Sequence, residues 1–294
     1  FEQPRYNPCG NRHCPSCQAH ARAKWVEQRI GELLDVPYFH VVFTIPDTLN
    51  PFALRNKAAF YALMFRAVSE TLTELAANNK HLGAQSGCIA VLHTWGQNLI
   101  DHPHIHCIIP AGGLREDRWI AAPNQSFLFP VTVMSALFRG KFMAYFREAL
   151  AGGSMQLHGT LQRYHDEPGT LQQLIDTLYK TDWVVYAKPP FGGPQAVVKY
   201  LGRYTHRIAI ANSRLVNVSD AKVSFTWKDY RDSNREKTMT LDSIEFLRRF
   251  LLHVLPKNFV RIRYYGFLSC RTRTQKLPLC KSLTEKKRDR KSVV

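Results

Sequence analysis

The chain has 294 residues, 45% hydrophobic and 12% aromatic, enough for at least one sizeable buried core. Forty Lys and Arg against 23 Asp and Glu leave a net charge of +17, which points to a polyanionic partner and ranks nucleic acid ahead of a membrane. No apolar run reaches bilayer-spanning length and no signal-peptide pattern opens the chain, so the expected location is the cytoplasm, close to the nucleoid, with no membrane partner.

Seven cysteines are an odd count, and three of them fall within the first 17 residues. Cys9, Cys14 and Cys17 combine a CxxC with a third thiol five residues ahead, the spacing of a small knuckle around tetrahedral Zn²⁺. A fourth ligand would be His13 or a residue upstream of Phe1, where the chain looks cut at its start. Ala19 to Leu34 reads as a basic helix with Arg22, Lys24 and Arg29, and Pro37 ends it. Tyr38 to Ile45 is β-branched and aromatic, which predicts a buried strand. A long helix is expected from Pro51 to Asn78, capped by Asn50, with Phe52, Phe60, Met64, Ala67 and Leu75 at helical spacing.

Cys88 to Leu99 and His104 to Ile109 read as two strands joined by a short polar connection, and so as an antiparallel pair. On the second, His104 and His106 share one face and Ile105 takes the other, because side chains alternate with period two. Two imidazoles on a rigid strand are a ready pair of ligands for a divalent cation. Gln97, late in the first strand, can offer its side-chain oxygen as a third ligand; His93 and His102 rank behind it.

Val131 to Leu150 is a predicted helix with Phe138, Phe142 and Phe146 four apart, and 152–168 reads as a flexible insertion. Leu171 to Lys180 reads as a further helix and Trp183 to Ala187 as a strand. Pro194 suits the first turn of the next helix. Tyr200 and Tyr204 then fall at i and i+4, roughly 5–6 Å apart at Cβ, and Lys199, Arg203 and Arg207 repeat on the neighbouring stripe. Short alternating segments between Arg214 and Leu241 read as strands, and Asp242 caps a helix to about His253. Arg261 and Arg263 alternate with aromatics and lead to Arg271 and Arg273, a pattern suited to a platform where bases stack and phosphates meet guanidinium. Lys286 to Lys291 reads as a disordered basic tail.

His104-Ile105-His106 resembles the histidine-hydrophobe-histidine ("HUH") motif of single-strand DNA endonucleases. The run LHTWGQNLIDHPHIHCIIPAGGL from Leu92 to Leu114, and YLGRYTHR from Tyr200 to Arg207, resemble the insertion-sequence 91 family of transposases. The likeness extends from the cysteine knuckle to the RIRYYG segment. It implies an α+β fold of the HUH endonuclease type, a central antiparallel sheet flanked by helices, with a small N-terminal zinc-knuckle remnant. Three regions follow: 1–36, 37–212 for the nuclease, and 213–294 for a β-rich DNA-binding part with a basic tail.

The implied function is a transposase that nicks and rejoins single-stranded DNA at element ends through a 5′-phosphotyrosine. Tyr200 and Tyr204 inherit the nucleophile role, and His104, His106 and Gln97 the site for Mg²⁺ or Mn²⁺. Cys9, Cys14 and Cys17, with His13 or an upstream cysteine, inherit Zn²⁺. Lys199, Arg203, Arg207, Arg261, Arg263, Arg271 and Arg273 are the expected DNA contacts. A rolling-circle replication initiator or relaxase shares this chemistry, and an inactive DNA-binding remnant would keep the fold without it. A small-molecule metal hydrolase is disfavoured by the charge and the lack of further acidic ligands.

Overall fold

Seven residues, Tyr38–Thr44 (β1), form an inner strand of the larger unit, because Tyr, Phe, Val and Thr suit a pleated and buried surface. β1 pairs antiparallel with Asp101–Pro110 (β3) on one side and with Val185–Lys188 (β6) on the other. Gly87–Trp95 (β2) lies next to β3, and Ile262–Gly266 (β10) closes the far edge antiparallel to β2. The strand order is β10-β2-β3-β1-β6. Gly112–Arg115 (β4) and Arg118–Ala121 (β5) form a separate hairpin. The class is therefore α+β with an antiparallel central sheet, as expected. The computed structural model describes residues 9, 11, 14–124, 127–188, 195–196, 198–199, 202, 209–230 and 232–289.

Alternation then gives the sheet two chemically different faces. Phe39, Val41 and Phe43 of β1, Cys88, Ala90 and Leu92 of β2, and Ile105, Cys107 and Ile109 of β3 all enter one apolar core. Helices Lys57–Ala77 (α3) and Val131–Ala151 (α4) cover that face with Phe60, Met64, Val68, Phe138, Phe142 and Phe146. The four-residue spacing of the last three aligns them on one side of α4, and the Phe138 and Phe43 rings meet edge to face at 5.2 Å. Residues of the other parity point away from this core. His106 sits opposite Val42 and His104 opposite Thr44.

The single helix expected from Pro51 to Asn78 is two helices, Asn50–Arg55 (α2) and α3, and the break is at Asn56. Asn56 is buried, and its side chain acts like a strand residue. Nδ2 donates to the Gln156 carbonyl at 3.0 Å, and Oδ1 accepts the Gln156 N–H at 2.7 Å. That paired bond ties down part of 152–168, which is not the flexible insertion expected. Met155 and Leu161 are buried in the core, and a short turn, Gly159–Leu161, leads through Arg163–Asp166 (α5) to Thr170–Lys180 (α6).

The described contacts group into two units that alternate along the sequence. The larger takes Glu32–His93, His102–Val197 and Leu255–Val294, and the smaller takes Phe1–Gly31, Thr94–Asp101 and Val198–Val254. Within the smaller unit, Leu215–Ser219 (β7), Lys222–Asp229 (β8) and Arg235–Asp242 (β9) form an antiparallel meander. Phe246 and Phe250 of Ser243–Leu252 (α7) pack on a small core of Leu99, Ala209, Ile210 and Phe225. Pro15–Gly31 (α1) belongs to the same unit. In the larger unit, the expected disordered tail is instead helical through Asp289, in Arg273–Asp289 (α8), with Leu277, Cys280 and Thr284 buried. Among the described residues no helix is long and apolar enough to cross a membrane.

Asn56→Ala removes both partners of the Gln156 backbone, at a site buried on the Asn56 side and half-open on the other. It should lower stability by about 1–2 kcal/mol, read as a drop in the denaturant midpoint; an unchanged midpoint would mean that water replaces the pair.

Candidate active site

Turned away from the apolar core, the central sheet gathers four imidazoles within the larger unit. His104 and His106 come from β3, His93 from β2 and His40 from β1. One ligand nitrogen from each of His93, His104 and His106 lies within 4.8 Å of the others. Ring centroids are 4.2 Å apart for His93 and His106, 4.8 Å for His104 and His106, and 5.2 Å for His93 and His104. His93 is 2% and His106 8% exposed, while His104 is half-buried. Such a set fits a divalent metal, since three neutral imidazoles can turn their lone pairs to one point.

Burial keeps these rings neutral. Loss of hydration pushes the pKa of His104 down to about 3, helped by the charge of His102, and that of His40 down to about 4, helped by Lys188. His93 and His106 also lie well below the ordinary value, first through burial; His104, Arg261 and His40 add to it at His93, and His93, His104 and His40 at His106. Tautomers are constrained as well. The His102 carbonyl lies 2.6 Å from His104 Nδ1 and can only accept, so that nitrogen carries the proton and Nε2 is left as the ligand atom. His106 Nδ1 is 2.7 Å from His40 Nε2.

The second cluster is local in sequence and sits in the smaller unit. Cys9, Cys14 and Cys17 bring their thiol sulfurs within 4.8 Å of one another, Cys9 and Cys17 at 3.5 Å. The neighbouring thiols raise the pKa of Cys9, while the Asn11 backbone contact lowers it. A thiolate cluster of this kind fits a metal that removes those protons. His13 lies outside the described residues.

A family profile described as "Putative transposase" matches residues 87–276, and one described as "Transposase zinc-binding domain" matches residues 1–45. A protein named "Putative transposase y4qJ", from Sinorhizobium fredii, is 52% identical over 280 residues, covering 95% of this chain and 70% of its own length. The chain belongs to the insertion-sequence 91 transposase family. The transposase for insertion sequence element IS801 of Pseudomonas savastanoi pv. phaseolicola is 33% identical over 277 residues, covering 92% of this chain but 64% of that protein. This transposase chain therefore spans about two thirds of the length of these relatives. Among solved structures, the conjugative relaxase TrwC in complex with OriT DNA gives a TM-score of 0.31 at 12% identity, over 56% of this chain and 70% of that one. Its metal-bound form gives 0.30 at 13%, over 57% and 70%.

In this transposase the third imidazole beside His104 and His106 is His93, which the sequence reading ranked behind Gln97. Gln97 belongs to the smaller unit, where its Nε2 donates to the Tyr230 hydroxyl at 3.0 Å. Lys199 is exposed and helical, and Gln195, Ala196, Val198 and Gly202 have helical backbone as well. Tyr200, Tyr204, Arg203 and Arg207 lie outside the described residues. Arg263 stacks over the Phe65 ring at 4.2 Å, and Arg273 pairs with Glu32 at 3.4 Å and stacks over Tyr264. Arg261 lies close enough to His93 to lower its pKa, and Arg271 is exposed. His40, which the sequence presents only as one residue of the buried Tyr38–Ile45 strand, joins the site across the sheet.

The lowered histidine pKa values set a pH dependence. A histidine whose pKa is lower folded than unfolded stabilises fully above its unfolded value, about 6.5, and that contribution is lost as pH falls toward the folded value. Without metal, the denaturant midpoint of this transposase should hold at neutral pH and fall between about 6.5 and about 4, the value of His40. A midpoint that stays flat across that window would contradict a neutral, buried cluster.

Proposed function

We propose that this transposase cuts and rejoins single-stranded DNA at the ends of its element, with Tyr200 and Tyr204 as alternating nucleophiles and His93, His104 and His106 as metal ligands. The observation that carries the reading is the three-imidazole cluster on β2 and β3, close in sequence to a family motif and held neutral by burial. A divalent ion there would polarise the scissile phosphate and offset charge in the transition state. An all-nitrogen set favours Mn²⁺ over Mg²⁺, which prefers oxygen. The N-terminal thiols take Zn²⁺, completed by His13 or by a ligand upstream.

The protein's own part of the chemistry is transesterification. The phenolic oxygen of one tyrosine attacks phosphorus as its proton leaves, the bond to the 3′ oxygen breaks, and that oxygen departs as a 3′-hydroxyl. The phosphate is then esterified to the tyrosine through its 5′ side. One ester replaces another, so rejoining needs no ATP. A free phenol, with a pKa of about 10, is a weak nucleophile at neutral pH and needs this activation. Two tyrosines permit two covalent steps on one protein, as rolling-circle transfer requires.

DNA affinity rests on the net charge of +17. Lys199, Arg203 and Arg207, four apart in sequence and next to the two tyrosines, supply phosphate contacts, as do Arg261, Arg263, Arg271 and Arg273 along the C-terminal stretch. The zinc knuckle within 1–36 and the β-rich part of 213–294 position the strand around the nuclease of 37–212. The protein acts where DNA is, at the nucleoid.

The tyrosine pair gives one test. Tyr→Phe removes only the phenolic oxygen, so stacking and folding should survive. Each single variant should form one adduct with a single-stranded element end but fail in strand transfer, and Tyr200→Phe/Tyr204→Phe should form none while still binding DNA. An adduct from the double variant, mapped by mass spectrometry, would place the nucleophile elsewhere.

The metal ligands give another. His93→Ala, His104→Ala and His106→Ala should each lower the cleavage rate at least about 100-fold with strand binding nearly intact, whereas Gln97→Ala should cleave close to the parent rate. Full cleavage in the presence of EDTA would remove the metal from the reaction.

A further inference from the structure

We propose that His40 is a positioning residue for the metal centre: it accepts the Nδ1 proton of His106 and so leaves Nε2 of His106 as the metal ligand. The inference rests on the metal site proposed above. His40 Nε2 and His106 Nδ1 are 2.7 Å apart, and their rings lie within 4° of parallel with centroids 5.0 Å apart. An approach that short between nitrogens is a hydrogen bond, not a stack. The two rings therefore meet edge on and nearly share a plane, the direction in which a ring nitrogen carries its lone pair or its proton.

The consequence follows from proton count. If His106 donates from Nδ1, its Nε2 is bare and can bind a cation. If His40 donates instead, His106 must carry its proton on Nε2, and that nitrogen cannot ligate. His104 has no such freedom, because its partner is the His102 carbonyl, which only accepts. His106 has a partner that can do either, and metal binding through Nε2 selects the state in which His40 accepts.

His40 is fixed for this task. It is 4% exposed, sits on β1 opposite Ile108, and is paired on its other side with Lys188 of β6. Burial leaves its ring little room to turn away. Such outer partners orient a ligating ring and raise its basicity, and losing one typically weakens metal binding by about 10–100-fold.

The test is Mn²⁺ binding to the full chain, followed by electron paramagnetic resonance. His40→Phe keeps a buried ring but cannot accept a proton, and His40→Gln offers a carbonyl oxygen at similar reach. His40→Phe should weaken Mn²⁺ binding at least about 10-fold, and His40→Gln should recover most of that loss, with both variants melting near the parent temperature. Parent-like binding by His40→Phe, or binding by His40→Gln no better than by His40→Phe, overturns the proposal.

Should His40→Phe not fold, ¹⁵N chemical shifts of the unsubstituted protein loaded with Zn²⁺ decide instead. A His106 protonated on Nδ1 supports the role, and one protonated on Nε2 refutes it. A His93→Ala/His104→Ala control separates the two readings. If that control leaves Mn²⁺ binding unchanged, the metal site itself falls; if only His40→Phe is silent, His40 alone loses its role.

Discussion

Burying uncharged imidazoles on one face of a sheet is the constraint on which the site depends. A protonated histidine in that position would bear the cost of desolvation, and a doubly protonated ring would have no lone pair for a cation. The sheet avoids that state by crowding four rings together, so that each one's charge would also oppose its neighbours'. The opposite face makes this crowding possible. Phe39, Val41, Phe43, Ile105, Cys107 and Ile109 interlock with two aromatic-rich helices, which fixes strand spacing and therefore the distances between rings on the other side.

A different physical device holds the connection between β2 and β3. Three successive carbonyls of that loop are each taken by a donor of the smaller unit: Gln97 by Arg214, Asn98 by Arg249, and Leu99 by His253. His253 is buried, and because Nε2 donates to Leu99, its Nδ1 accepts from the Thr94 hydroxyl at 3.2 Å. Leu99 takes a left-handed backbone, φ 63°, and its side chain is fully buried in the small core with Phe225. A branched apolar residue rarely adopts that backbone unless its surroundings force it. Here the clamped carbonyls and the apolar seat do so together.

What the sequence made legible was whatever is local. The period-two logic of His104 and His106 needs three residues, and the cysteine knuckle needs nine; both clusters are present. Neighbours across strands were harder to read. Choosing between Gln97 and His93 requires knowing where β2 ends, and it stops at Trp95 rather than running to Leu99. His40 is 66 residues from His106, and nothing local marks it as more than a strand histidine. Asn56 broke an otherwise regular helical pattern through a partner 100 residues away. The last helix was hidden by Pro278 and a run of charge, although Leu277, Cys280 and Thr284 lie three and four apart along one buried side.

The basic character of the chain and the neutrality of its histidines belong to one electrostatic argument. Arg261 lowers the pKa of His93, and Lys188 lowers that of His40, because a nearby cation discourages a second positive charge. The same cations attract phosphate. A proton and a DNA strand would thus feel opposite forces at the edge of the cluster. Burial does most to keep the imidazoles bare of protons, the two cations add to it, and in the proposed reaction those cations would also draw the polyanion. Carboxylates at those two positions would reverse both effects, favouring charged, ligand-incompetent rings and repelling the strand. In the proposed reaction, a strongly basic protein can therefore carry metal-ready histidines at neutral pH without a carboxylate among the three proposed ligands.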